Sequence, residues 1–469
     1  MTLAACIVVT QWFFLWYFIC VNLGYIALNL LSLASLRRYA DARSLDHLPR
    51  SYSGFQPPVS ILVPAYNEEA TIAASLRSLL QLNYSQFEIV AINDGSKDGT
   101  LAVLQREFAL IPFPEAYRVR IPVKRVRGIY RSTIHPNLRV VDKDNGGKAD
   151  ALNTGINAAR YPLYCAVDAD SVLQRDSLQR LVQPFIDDPS TVAAGGTVRL
   201  ANGCIVSGGF LTKIGLPRNP LALLQLVEYL RAFLFGRLGW SPINAVLIIS
   251  GAFGLFKLDT VVSAGGYRTD TVGEDMELVV RLHRLLRSQR SKYRIVFVPD
   301  PICWTEAPET LKVLKSQRLR WQRGLAESLT LNSALLFGRN SGAAGWLAFP
   351  FMSLFEWWGP LIELAGYVFM LSGYIAGVIS QLALITFMVT AFCFGLLLSV
   401  SALLLEELSL HLYPRARHLA ALVGIAIVEN LGYRQLVSFW RLIGLLRWMF
   451  GAKAKWGDMK RSASWRREV

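Results

Sequence analysis

The sequence predicts an α/β domain, a mostly parallel sheet with helices on both faces, inserted between membrane-spanning helices. Three observations predict it. Short apolar runs alternate with amphipathic stretches over residues 57–324. Residues 2–36 carry no charge, and two further apolar runs cover 345–377 and 378–405. Finally, 53% of the 469 residues are hydrophobic, 12 of them Trp, and the mean hydropathy is +0.34, which a soluble enzyme rarely shows.

Residues 1–36 read as one membrane helix, longer than the ~20 residues needed to cross a bilayer. A cleaved leader is disfavoured because the run is too long and no basic stretch precedes it. Arg37, Arg38, Arg43 and Arg50 follow in a linker over 37–56. The excess of basic residues on the cytoplasmic side puts the N-terminus outside and the domain over 57–324 in the cytoplasm.

Within that domain, 59–65 reads as a strand and 68–82 as a helix with Ile72, Leu76, Leu79 and Leu80 on one face. Residues 87–92 form a second strand ending in the turn Asn93-Asp94-Gly95-Ser96. Strands over 138–141 and 163–167 flank a helix over 148–159. The stretch 109–137, rich in Arg and Lys, reads as a solvated basic excursion. Residues 220–238 form an apolar helix, interfacial or packed on membrane helices. Residues 246–257 are a strand interrupted by small residues, as where a ligand or another backbone approaches closely. Residues 274–286 are helical.

Beyond Pro308 the chain is helical again, with an interfacial helix over 325–344 and two membrane helices over 345–405. Glu356 and Glu363 in the first of these are expected to face protein or a watery cavity, because a lipid-facing carboxylate is costly. A cytoplasmic loop with interfacial or re-entrant helices covers 406–450, and a basic cytoplasmic tail covers 451–469. Six Cys without paired spacing read as apolar fillers, not as a disulfide framework or zinc site. The net charge of +15 fits an anionic membrane surface or an anionic substrate. Nucleic acid is not the expected partner, since the basic residues cluster beside membrane runs, where topology accounts for them.

Asp168-Ala169-Asp170 follows the apolar run 163–167, so two carboxylates leave the sheet at its carboxyl edge, where ligands of such sheets bind. Strand periodicity points both to one side. They suit a hard cation such as Mg2+ or Mn2+ that a diphosphate completes, and a solvated turn is the competing reading. Lys148 opens a helix after Gly146 and Gly147, where an ammonium and a helix N-terminus both favour phosphate. Glu274 and Asp275 also make an ordinary first helical turn, and Trp321 an ordinary interfacial anchor.

Taken in order, Pro64-Ala65-Tyr66-Asn67-Glu68-Glu69, Asn93-Asp94-Gly95-Ser96, Asn145-Gly146-Gly147-Lys148, Asp168-Ala169-Asp170, Gly273-Glu274-Asp275 and Gln317-Arg318-Leu319-Arg320-Trp321 resemble the motif series of family 2 membrane glycosyltransferases. That group contains the cellulose, chitin, hyaluronan and poly-N-acetylglucosamine synthases. The resemblance implies a GT-A nucleotide-sugar-binding fold and a membrane-embedded, inverting, metal-dependent hexosyltransferase. Such an enzyme would move sugar from a UDP-linked donor onto a growing β-linked polysaccharide and export the chain.

It also implies the roles. Asp94 would bond the nucleotide base, with Tyr66 and Glu68 on the neighbouring loop. Lys148, Gln317 and Arg320 would serve the donor, and Arg320 would fork onto its diphosphate. Asp168 would face nucleotide and metal, and Asp170 would ligate Mg2+ or Mn2+ directly. Asp275 would be the general base. Trp321 would carry the acceptor sugar, with Gly251 and Phe253 lining the acceptor site; the segment Ser250-Gly251-Ala252-Phe253-Gly254 departs from the family's in its side chains, which leaves acceptor identity open. Expected partners are the donor, a glycan or lipid-linked acceptor, the bilayer, and an accessory export or regulatory subunit. The expected location is the cell membrane, multi-pass, with the catalytic domain cytoplasmic. Two alternatives stand beside this: a glycolipid synthase adding one or a few sugars, and a catalytically silent sugar-binding membrane component.

Overall fold

The computed structural model describes residues 3–45, 56–207, 210–409, 412–413 and 415–452. Arg50 and the basic tail from residue 453 lie outside the described residues. Ten strands form one sheet. They are β1 (Val59–Ala65), β2 (Phe87–Asp94), β3 (Leu110–Pro112), β4 (Val126–Ser132), β5 (Leu138–Lys143), β6 (Leu163–Val167), β7 (Val172–Leu173), β8 (Thr191–Leu200) and, after a separate hairpin of β9 (Ile205–Ser207) and β10 (Phe210–Lys213), β11 (Phe253–Lys257) and β12 (Arg294–Thr305). Their order is β3-β4-β5-β2-β1-β6-β11-β8-β12-β7.

The sheet is mixed where a mostly parallel one was expected. The central run β5-β2-β1-β6 is parallel, as is the pair β8-β12. Strand β11 runs antiparallel to both of its neighbours, β6 and β8. It reaches the sheet after an excursion over residues 201–252 that contains a hairpin and a helix at Pro220–Leu234, so no short strand–helix–strand unit fixes a parallel return. The stretch 109–137 also differs from expectation, because β3 and β4 add an antiparallel edge to β5. Arg127 there pairs with Asp142 at 2.8 Å, and Arg131 lies over the Phe113 ring. Strand β3 covers β4 only at Tyr130–Ser132, and basic side chains suit the part of β4 left at the sheet's edge, since they discourage further pairing.

The central strands are apolar on both faces because both are covered: β1 is buried except at Pro64, and β6 and β8 are buried throughout. The helices over the sheet include α2 (Ile72–Leu79), α3 (Thr100–Glu107), α4 (Lys148–Ala158) and α5 (Ser177–Asp187). The expected helix over 68–82 is thus shorter, and of the expected strand over 246–257 only β11 forms. Gly147, at φ +88°, makes the turn that starts α4 at the sheet's carboxyl edge.

Next come α6 (Pro220–Leu234), α7 (Leu258–Ser263), α8 (Glu274–Ser288) and α9 (Leu311–Leu331). Helix α9 runs straight through Gly324, where the sequence reading ended the domain. The reason is packing: Leu325 and Leu329 continue into a core with Met276 and Val280 of α8.

Among the described residues, two helices are long and apolar enough to cross a membrane, at Ala5–Tyr39 and Gln381–Leu408. The first belongs to α1 (Leu3–Leu45), which continues past the expected end at residue 36. The apolar run 345–377 is not one helix. Two π-turns, Ala344–Ala348 and Met352–Trp357, flank the short α10 (Phe349–Phe351), and α11 (Gly359–Ile375) restarts after Trp358. Pro360 has no N–H to carry the helical ladder across that point. Helix α12 (Gln381–Ser409) follows, then α13 (Ala416–Val428) and α14 (Arg434–Met449), joined by the π-turn Glu429–Tyr433 in which Gly432 adopts φ +132°.

Candidate active site

The carboxyl edge of the sheet gathers the charged residues. Asp94 ends β2, Asp168 and Asp170 follow β6, Lys148 opens α4, and Glu274 and Asp275 open α8. All six line one cavity of about 1890 Å3, together with Tyr66, Glu68, Gly251, Gln317, Arg320 and Trp321. The Lys148 ammonium lies 2.5 Å from Asp168 Oδ1 and 3.8 Å from Glu274 Oε1. Asp275 Oδ2 accepts from the Gly251 backbone N–H at 3.0 Å, and its Oδ1 from Met276 N–H at 2.8 Å. Asp170 is buried, and its Oδ2 accepts from Thr305 Oγ1 at 3.4 Å.

Burial works against the Lys148 cation, but Asp168 and Glu274 outweigh it and hold its pKa above the ordinary lysine value. Burial raises Glu274 to about 7, with Lys148 opposing. Arg237 is pulled down to about 10 by burial, against the attraction of Asp275. Among the described residues no three His, Cys, Asp or Glu side chains converge into a ready-made metal set. The two carboxylates Asp168 and Asp170 fit a hard divalent cation only when a ligand supplies the remaining oxygens, which a diphosphate can do.

A family model described as glycosyl transferase family 2 matches residues 60–204, and one described as glycosyl transferase family group 2 matches residues 165–400. The chain belongs to glycosyl transferase family group 2. It is a glycosyltransferase with the GT-A fold and a mixed central sheet. It is similar to proteins named poly-β-1,6-N-acetyl-D-glucosamine synthase. The one from Staphylococcus aureus (strain COL) is 33% identical over 274 residues, 58% of this chain and 55% of the relative. The one from Staphylococcus epidermidis is 30% identical over 272 residues, with the same shares. The chain thus spans about half the length of the curated relatives it matches. Among solved structures, it is similar to the mannosyltransferase PcManGT from Pyrobaculum calidifontis in complex with GDP-Man and Mn2+, at 20% identity, TM-score 0.48, and coverage of 88% of this chain and 99% of that one. It is also similar to Staphylococcus aureus TarS residues 1–349, at 14% identity, TM-score 0.37, and coverage of 81% and 91%.

For a family 2 glycosyltransferase the expected site residues come together with two differences. Phe253 was expected at the acceptor site but is fully buried in β11, opposite Val167, and does not line the cavity. A strand between two neighbours in a covered sheet leaves its side chain no route to solvent. Asp94 was expected to bond the nucleotide base. Its Oδ1 instead accepts from Lys143 Nζ at 2.5 Å and Gly146 N–H at 3.0 Å, and its Oδ2 from Gly147 N–H at 2.8 Å and Asn145 Nδ2 at 3.2 Å. Four donors saturate a carboxylate, so Asp94 holds the loop that starts α4.

Sequence reasoning missed Arg237, Glu228 and Arg318, which also line the cavity. Arg237 stacks 3.8 Å from the Phe233 ring centroid, and its Nη1 is buried without a hydrogen-bond partner. For Glu228 and Arg237 a sequence signal was available: charged residues in the apolar stretch 220–238 need a reason. Glu356 and Glu363 face the cavity, where Arg441 Nη2 lies 2.8 Å from Glu356 Oε2 and Ser438 Oγ donates to Glu363 Oε2 at 2.9 Å.

Proposed function

We propose that this glycosyltransferase is membrane-embedded and inverting, and that it moves sugar from a UDP-linked donor onto a growing β-linked polysaccharide and exports the chain. One observation supports this most. The cavity that holds Lys148, Asp168, Asp170 and Asp275 continues past Trp321 to Tyr17 and Phe18 of α1 and Met388 and Phe392 of α12, so one path joins the polar site to the apolar helices. Helices α1 and α12 are the proposed spans, with residues 57–324 as the cytoplasmic catalytic unit, the bilayer as a partner, and an accessory export subunit.

In this reading Asp168 and Asp170 would hold Mg2+ or Mn2+, which would supply positive charge against the leaving diphosphate. Lys148 and Arg320 add cations to the same diphosphate, and Gln317, whose buried Oε1 has no hydrogen-bond partner, faces it from α9. Tyr66 and Glu68 flank the nucleotide. Trp321 and the backbone at Gly251 shape the acceptor side. Asp275 takes the proton from the acceptor hydroxyl as that oxygen attacks the anomeric carbon. The bond from that carbon to the diphosphate breaks, UDP leaves with the electron pair, and a single displacement turns an α-linked donor into a β-linked product.

The test is UDP release and product size from the full chain in lipid, with UDP-N-acetylglucosamine, UDP-glucose and GDP-mannose, each with Mg2+ or Mn2+. N-acetylglucosamine comes first because the curated relatives carry that sugar in their names. The expected product is a polymer from one donor. A product confined to short, solvent-extractable glycolipid would sink the polysaccharide reading and favour the glycolipid synthase. Unchanged UDP release by Asp275→Asn would sink the assignment of the base.

A further inference from the structure

Trp321 is 44% exposed in the cavity, and the Arg318 guanidinium carbon lies 4.4 Å from its ring centroid. Arg318 is buried, and its Nη2 donates to Glu228 Oε2 at 2.8 Å. The same oxygen accepts from Tyr433 Oη at 3.1 Å. The neighbouring Tyr229 ring stands 6.4 Å from the Trp321 ring. Three elements therefore connect to one indole: α9 carries Trp321 and Arg318, α6 brings Tyr229 to the ring and Glu228 to the guanidinium, and the π-turn between α13 and α14 reaches Glu228 through Tyr433. Tyr433 directly follows Gly432, the kinked residue of that turn.

Arg318 Nε and Nη1 are buried with no hydrogen-bond partner. The Glu228 carboxylate, the Tyr433 hydroxyl and the Trp321 face thus hold this guanidinium, and a buried cation with few partners depends strongly on those it has. Burial works against the Arg318 cation, and Glu228, Tyr433 and Tyr229 together outweigh it.

We propose that Tyr433, Glu228 and Arg318 are a positioning relay that fixes the orientation of Trp321 and couples the α13–α14 helix pair to the acceptor site. The coupling to the acceptor rests on the reading of Trp321 as the acceptor platform. None of the three needs to touch the reacting atoms. Tyr433 restrains the Glu228 carboxylate, Glu228 restrains the guanidinium, and the guanidinium sets the indole plane. A movement at the Gly432 kink then reaches the sugar that stacks on Trp321.

The test uses the full chain in lipid nanodiscs, labelled with 5-fluorotryptophan, the Trp321 resonance being identified by its loss in Trp321→Phe. Tyr433→Phe and Glu228→Gln are each expected to shift or broaden that resonance and leave the other indoles in place, which also reports that the variants fold. With UDP-N-acetylglucosamine and an N-acetylglucosamine oligosaccharide, Tyr433→Phe is expected to raise the acceptor KM about three- to tenfold, the net scale of one ordinary hydrogen bond. Donor hydrolysis without acceptor is expected to stay at the unmodified rate. In a Trp321→Phe background, Tyr433→Phe is expected to add nothing. A Trp321 resonance that ignores both variants overturns the relay, as does a fully additive KM change. If Trp321→Ala leaves the acceptor KM unchanged while the resonance still responds to Tyr433→Phe, the relay stands and the acceptor reading of Trp321 fails.

Discussion

Lys148 Nζ lies 2.5 Å from Asp168 Oδ1, so a single ion pair ties the first turn of α4 to the end of β6. The pair is partly exposed to the cavity, with side-chain exposures of 20% and 26%, so a ligand can reach both partners. Lys148→Met is expected to lower kcat/KM for the donor by roughly 10²–10³-fold, the usual loss when one group stabilising transition-state charge is removed. A coupled assay of UDP release measures it.

Gly251 is the close-approach position between Asp275 and Lys148. A Cβ there would sit 3.0 Å from Lys148 Nζ and 3.3 Å from Asp275 Oδ2. Gly251→Ala is expected to displace one of the two and to lower kcat/KM by roughly ten- to a hundredfold, as sub-ångström misplacement does at a reacting centre. The circular dichroism spectrum should stay unchanged.

Asp94 is a structural test case. Removing it leaves Lys143 buried with Asp150, 2.6 Å away, as its remaining carboxylate, and frees the Asn145–Gly147 backbone donors. Asp94→Ala is expected to destabilise the fold by about 3–5 kcal/mol, the scale for breaking a buried ion pair. Chemical denaturation of the protein in detergent reads this out. A loss of activity with full stability would instead return Asp94 to the nucleotide base.

His283 makes the domain acid-sensitive. It is fully buried, between Tyr293 Oη at 2.6 Å and the Val246 carbonyl at 2.9 Å, and burial lowers its pKa from 6.5 to about 4. A depressed folded-state value means that the unfolded chain binds the proton more readily. The contribution is complete above pH 6.5 and is lost as pH falls toward 4. It amounts to ~3 kcal/mol at most. Melting temperature against pH should fall over that window, and His283→Gln should flatten the fall.

The motif residues were legible in the sequence because each sits where an element begins or ends. Strand ends at Asp94 and Asp168 and helix starts at Lys148 and Asp275 follow from local periodicity and turn chemistry. Arg237, Glu228 and Arg318 were not legible in this way. The chemistry of Glu228 and Arg318 depends on side chains brought together from α6, α9 and the turn at Tyr433, which are far apart along the chain.

By itself, the sequence determined the alternation of strands and helices, the apolar lengths of α1 and α12, and the order of the charged residues along the sheet edge. These depend on near neighbours, through burial pattern and turn residues. Only the tertiary structure decided that β11 enters antiparallel, that Phe253 is sealed beneath the site, that Asp94 spends its acceptors on Lys143 and the loop that starts α4, and that α9 runs unbroken past Gly324. Each of those depends on which surfaces meet in three dimensions, where packing and hydrogen-bond saturation override local preference.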